Sequence, residues 1–134
     1  MRRTADKVDV RSYVEEHCGP EILTKVFCVI SDLNELSYET LPESFVMKPT
    51  HASGEVKVIH DKNEYEEAEL LKLCRAWLKL DYYKRTREWV YKDLPRRVIF
   101  EECLIDENGR IPADYRFYCF DGEPKFGNYP VDVP

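Results

Sequence analysis

The chain has 134 residues, 43% apolar and 34% charged, with a net charge of −6 at pH 7. That is enough for about one domain around a modest core. It is too acidic for nucleic acid as the main partner, because phosphate backbones demand clustered Lys and Arg. The small basic clusters, Lys84-Arg85 with Arg87 and Arg96-Arg97, read as solvated surface. No apolar run approaches the ~18 residues of a membrane span. Met1-Arg2-Arg3-Thr4 leads into no signal-peptide core. No membrane insertion and a cytoplasmic location are therefore expected. Cys18, Cys28, Cys74, Cys103 and Cys119 are odd in number and widely spaced, as reduced core cysteines are. His17, His51 and His60 show no ligand spacing for zinc.

Residues 6 to 18 carry Val10, Tyr13, Val14, His17 and Cys18 at the spacing of an amphipathic helix. Asp6 or Thr4 is expected to cap its start, and Gly19-Pro20 to end it. Lys25-Val26-Phe27-Cys28-Val29-Ile30 is an apolar run short enough for a strand buried on both faces. Residues 31 to 44 read as a polar connector.

Phe45 to His60 is the most informative stretch. Phe45 and Met47 alternate with Val46 and Lys48, and Val56 and Val58 with Lys57 and Ile59, the period-2 pattern of two half-buried strands. The loop between them holds Thr50, Ser53 and Gly54, whose hydroxyls and backbone N–H groups can approach a phosphate closely. Lys48 places a point charge at the same end of the sheet. A lid over a nucleotide needs those parts.

Asn63-Glu64-Tyr65-Glu66 has capping-box spacing, and Leu70, Leu71, Cys74, Trp77 and Leu78 form a second helical stripe to about Leu80. This helix is expected to pack on the apolar face of the hairpin and bury Trp77. Tyr82 to Tyr91 reads as a packed, partly exposed connector. Val98 to Leu104 is a strand whose apolar half runs into Glu101 and Glu102. The turn Asp106-Glu107-Asn108-Gly109 follows. Tyr115 to Phe120 alternates again, and Asp121-Gly122 is a strong hairpin turn, with Pro124 at an edge or in a short strand. The tail from Tyr129 to Pro134 is expected to have little regular structure.

In this order of elements the chain resembles the ATP-grasp superfamily, and within it the TupA-like ATP-grasp proteins associated with bacterial surface-polysaccharide or teichuronopeptide biosynthesis. The resemblance rests on Asp6-Lys7 with Val10-Arg11-x-Tyr13-Val14, and on Leu41-Pro42-x-x-Phe45-Val46-Met47-Lys48. His51-x-Ser53-Gly54, Glu101-Glu102-x-Leu104 and Asp114-Tyr115-Arg116-Phe117-x-Cys119-Phe120-Asp121-Gly122 complete it. Five motifs in order, from residue 6 to about 126, are far more specific than any one.

The resemblance implies an α+β fold of antiparallel hairpins packed with two amphipathic helices, forming a partial ATP-grasp domain. Its parts are a helix, strand and connector in 1–44, a lid hairpin plus helix in 45–97, and a hinge strand and hairpin in 98–134. ATP is the implied cofactor. Lys7 and Lys48 look like the two phosphate-contacting lysines, under a lid containing Ser53 and Gly54. Glu101, Glu102 and Leu104 look like the adenine hinge, and Asp114 falls where related enzymes hold the ribose hydroxyls. Val46, Ile99 and Leu104 supply an apolar slot for the base.

Family members join a carboxylate to an amine through an acyl-phosphate, with Mg²⁺ held by acidic residues and an Asn downstream of the hinge. The resemblance stops before that part, so catalysis by this chain alone is expected to be incomplete, and Mg²⁺ is left open. The implied partners are ATP and either a carboxylate substrate or a second chain completing the site. A non-enzymatic scaffold that keeps the fold, or a glycosyltransferase-associated protein, are the alternatives.

Overall fold

The computed structural model describes residues 2–113 and 115–128, the side chains of residues 2, 3 and 128 excepted. Asp114 and the tail from Tyr129 to Pro134 lie outside the described residues. The class is α+β, as expected, and the chain divides into two compact units, Met1–Cys103 and Leu104–Pro134.

The first unit is built on a four-stranded antiparallel sheet in the order β1-β4-β2-β3, with β1 Val26–Ile30, β2 Phe45–Pro49, β3 Lys57–Ile59 and β4 Val98–Glu101. Its central strand β4 is buried along its whole length, since neighbours cover both edges and both faces are packed. The apolar run of β1, expected to be buried on both faces, instead lies at the sheet edge. Of its residues only Ile30 is fully buried. An apolar run reports the amount of apolar surface and not which strand ends up central.

The Phe45 to His60 hairpin forms as read, pairing Phe45 with Ile59, Val46 with Val58 and Met47 with Lys57. Side chains alternate across a strand, so this register fixes two faces. Phe45, Met47, Ile59, Val98 and Phe100 share one core with Leu70, Cys74 and Trp77 of helix α3, Glu67–Lys79. Trp77 is 5% exposed, as its place on the helical stripe requires. Burying each such large apolar side chain contributes about 1.5–3 kcal/mol. Cys74 is the one cysteine in this core, and burial pushes its thiol up to about 12. Cys18 and Cys119 are exposed, and Cys28 and Cys103 are half-buried, so core burial holds only for Cys74.

Both helix starts differ from expectation. Asn63 does not cap α3. Asp61, two residues upstream, accepts the Asn63 N–H at 2.8 Å and turns Lys62–Glu64 into a 3₁₀ turn, and α3 then begins at Glu67 with no side-chain cap. The N-terminal helix is split into α1, Arg2–Ala5, and α2, Asp9–Cys18. The break falls at Asp6, whose carboxylate accepts the Val8 and Asp9 N–H groups at 2.8 and 3.1 Å. Gly19 closes α2 at φ +89°, its N–H donating to Glu15 O, as the Gly-Pro signal predicts. The connector Tyr82 to Tyr91 contains a short helix α4, Tyr82–Thr86, capped by Asp81 and ended by Arg87 at φ +63°.

In the second unit, β5 Arg116–Phe120 and β6 Glu123–Asn128 form the expected hairpin. Asp121 and Gly122 both have positive φ, 51° and 80°, the pair of values that a tight two-residue turn needs. The pairing shifts register between Tyr118 and Cys119, and Cys119 faces Pro124, so the proline sits at an irregularity where no ladder N–H is required.

Candidate functional site

The sheet carries the site on the face opposite its α3-packed core. Val46 pairs with Glu101 and Lys48 with Ile99, so these four side chains share that second face. The Lys48 ammonium reaches diagonally to Glu101 Oε1 in a close ion pair. Glu101 Oε2 accepts the Thr24 hydroxyl at 3.3 Å and lies 3.9 Å from Arg11 Nη1. Glu101 is 7% exposed, and a carboxylate that deep is tolerated when opposite charge and hydrogen-bond donors surround it.

Lys7 reaches the same place from the N-terminus. Its Nζ donates to Pro49 O at 3.0 Å and, more closely, to Ala52 O, while its own N–H donates to Thr50 O at 3.1 Å. Two of the three ammonium donors are thus engaged, and one is left for a ligand. Burial, and next the charge of Lys48, hold the Lys7 pKa below the ordinary 10.5. Two cations brought that close are a feature a ligand anion relieves.

Behind Lys7 stands a buried ionic knot. Asp6 is fully buried, and besides the two backbone donors above it accepts Thr50 Oγ1 at 2.7 Å and Arg97 Nη2 at 2.8 Å. The same Arg97 nitrogen donates to Asp9 at 2.7 Å. Although burial works against it, the Asp9 and Asp6 contacts raise the Arg97 pKa. Thr50 N–H donates to Arg97 O at 2.9 Å, and His51 Nε2 lies 3.1 Å from Leu80 O. Burial lowers the His51 pKa, and since a carbonyl only accepts, Nε2 is the donor in that contact. The loop base at 49–52 is therefore fixed from several sides, while Ser53 and Gly54 beyond it are exposed. Gly54 sits at φ +80° with open space where a Cβ would point.

Lys7, Arg11, Lys48 and Glu101 line an open cleft of about 290 Å³, together with the apolar Val10, Ile22 and Leu23 and with Thr24. Its volume is at the low end for a ligand pocket, enough for the phosphate part of a nucleotide. A second cavity of about 440 Å³ between Ser31–Asn34 and α3 contains none of the expected residues.

The structure thus brings Lys7, Lys48 and Glu101 together. Glu102 is next along the chain but exposed, its N–H donating to Lys25 O at 2.8 Å and its carboxylate accepting Lys25 N–H at 3.3 Å. Leu104 begins the second unit and is 52% exposed. Arg11, Thr24 and Arg97 carried no assigned role in the sequence. Arg11 stood within a recognised motif, whereas Arg97 gave no signal beyond a basic pair.

Among the described residues no group of three or more His, Cys, Asp or Glu side chains is placed to hold a metal ion. No helix among the described residues is long and apolar enough to cross a membrane.

No curated protein and no solved structure matches the chain. A family model does, that of the TupA-like ATPgrasp proteins, over residues 1–132. With nearly the whole chain matched, and with two lysines converging on a cavity beside a buried glutamate, the chain belongs to the TupA-like ATP-grasp family.

Proposed function

We propose that the chain binds ATP with its phosphate tail in the cavity between α2 and the β2–β4 face. Family membership implies nucleotide binding and kinship to ligases. The observation that carries the placement is the convergence of Lys7 and Lys48, distant in sequence, on one cavity. Lys7 and Lys48 neutralise the phosphates. Ser53 and Gly54 cover them from the loop tip. Val46, half-buried, offers an apolar surface for the base on the same sheet face. The reaction class that fits is carboxylate activation for attack by an amine, in the building of a surface polysaccharide, with a second chain or a carboxylate substrate completing the site.

Isothermal titration of ATP across pH tests this reading. The affinity should hold while Lys7 is charged and fall as pH rises through its pKa, which lies below 10.5. Lys7→Arg stays charged and moves that loss to higher pH. No heat of binding at neutral pH, or an affinity indifferent to alkali, would contradict it.

A further inference from the structure

Arg11 stands on α2 at the cavity wall, its side chain 22% exposed. Thr24 holds the guanidinium at two points. Nη2 donates to the Thr24 carbonyl in a short contact, and Nη1 to the Thr24 hydroxyl at 3.3 Å. That hydroxyl in turn donates a hydrogen bond to Glu101 Oε2 at 3.3 Å. The 3.9 Å from Nη1 to Glu101 is an ion pair without a direct hydrogen bond. A guanidinium has five N–H donors, so about three remain without an acceptor among the described residues. Arg11 is oriented by the protein and keeps donors to spare.

The charge count points the same way. Three cations line the cavity, Lys7, Arg11 and Lys48, against one carboxylate, Glu101. Glu101 stands between Lys48, on Oε1, and Arg11, near Oε2. A phosphate held between the two lysines would leave the spare donors of Arg11 without an acceptor, and a second phosphate would supply one.

We infer that Arg11 is a specificity-determining residue of this site, contacting a second phosphate group so that nucleoside di- and triphosphates bind in preference to monophosphates. This rests on the nucleotide reading, and its test separates the two. Inorganic tripolyphosphate, ATP and AMP are titrated calorimetrically into the wild type, Arg11→Gln and Arg11→Lys. A charge-assisted phosphate contact predicts a loss of about 10-fold or more for tripolyphosphate and ATP in Arg11→Gln. AMP affinity should change little, and Arg11→Lys should recover part of the ATP affinity. If ATP and AMP weaken together, or neither does, Arg11 only holds Thr24 and the inference is overturned. Failure of wild type to bind tripolyphosphate overturns it as well. If tripolyphosphate binds and loses affinity in Arg11→Gln while ATP binds no more tightly than tripolyphosphate, the inference stands and the adenine reading falls.

Discussion

Arg97→Ala should lower the stability of the chain by about 3–5 kcal/mol in urea denaturation, because it leaves a buried carboxylate without its counter-charge. Asp6 is fully buried, and Arg97 is the cation that meets it, at 2.8 Å. The loss is one of an uncompensated charge and not of packing. The double variant Asp6→Asn/Arg97→Ala should therefore be less destabilised than the sum of the two single variants. Strict additivity would show that Asp6 and Arg97 act independently. The knot also reaches the site, since Thr50 is bonded to both Asp6 and Arg97 and Lys7 to the carbonyls on either side of Thr50–His51.

Lys48→Ala should weaken ATP binding by about 10 to 150-fold, the worth of a charge-assisted contact to phosphate. Lys48 is a charge at a loop base, and its ion pair with the buried Glu101 adds a stability cost to the same substitution. Lys48→Ala/Glu101→Gln separates the two effects, because neutralising the carboxylate removes the stranded charge. The double variant should regain stability and stay weak for ATP. Wild-type affinity in Lys48→Ala would remove this lysine from the site.

Local pattern carried most of the fold. The strands from Phe45 and Val98, the helix around Trp77 and the Asp121-Gly122 turn are all announced by residues within a few positions of each other. Which strand is central is a global property, so the apolar Val26–Ile30 run could not reveal that it lies at an edge. The start of α3 was misplaced where Asp61 hydrogen-bonds a nearby N–H first, whereas Asp6, an expected cap, does accept N–H groups at the start of α2. At the site, Lys48 stood out from its place at the end of a clear strand, whereas Glu101 was named only through the family resemblance, as part of the adenine hinge. Arg96 and Arg97 were indistinguishable as a basic pair. Arg96 does face solvent, on Asp81, while Arg97 turns inward to Asp6. Nothing local marks which of two adjacent arginines will find a partner 91 residues away.

Lysine acetylation with and without ATP, quantified residue by residue by mass spectrometry, tests the placement of the nucleotide most directly. Saturating ATP should protect Lys7 and Lys48 and leave Lys84, 78% exposed at its side chain, reacting as before. Equal modification of Lys7 and Lys48 in the presence and absence of bound ATP would contradict the account.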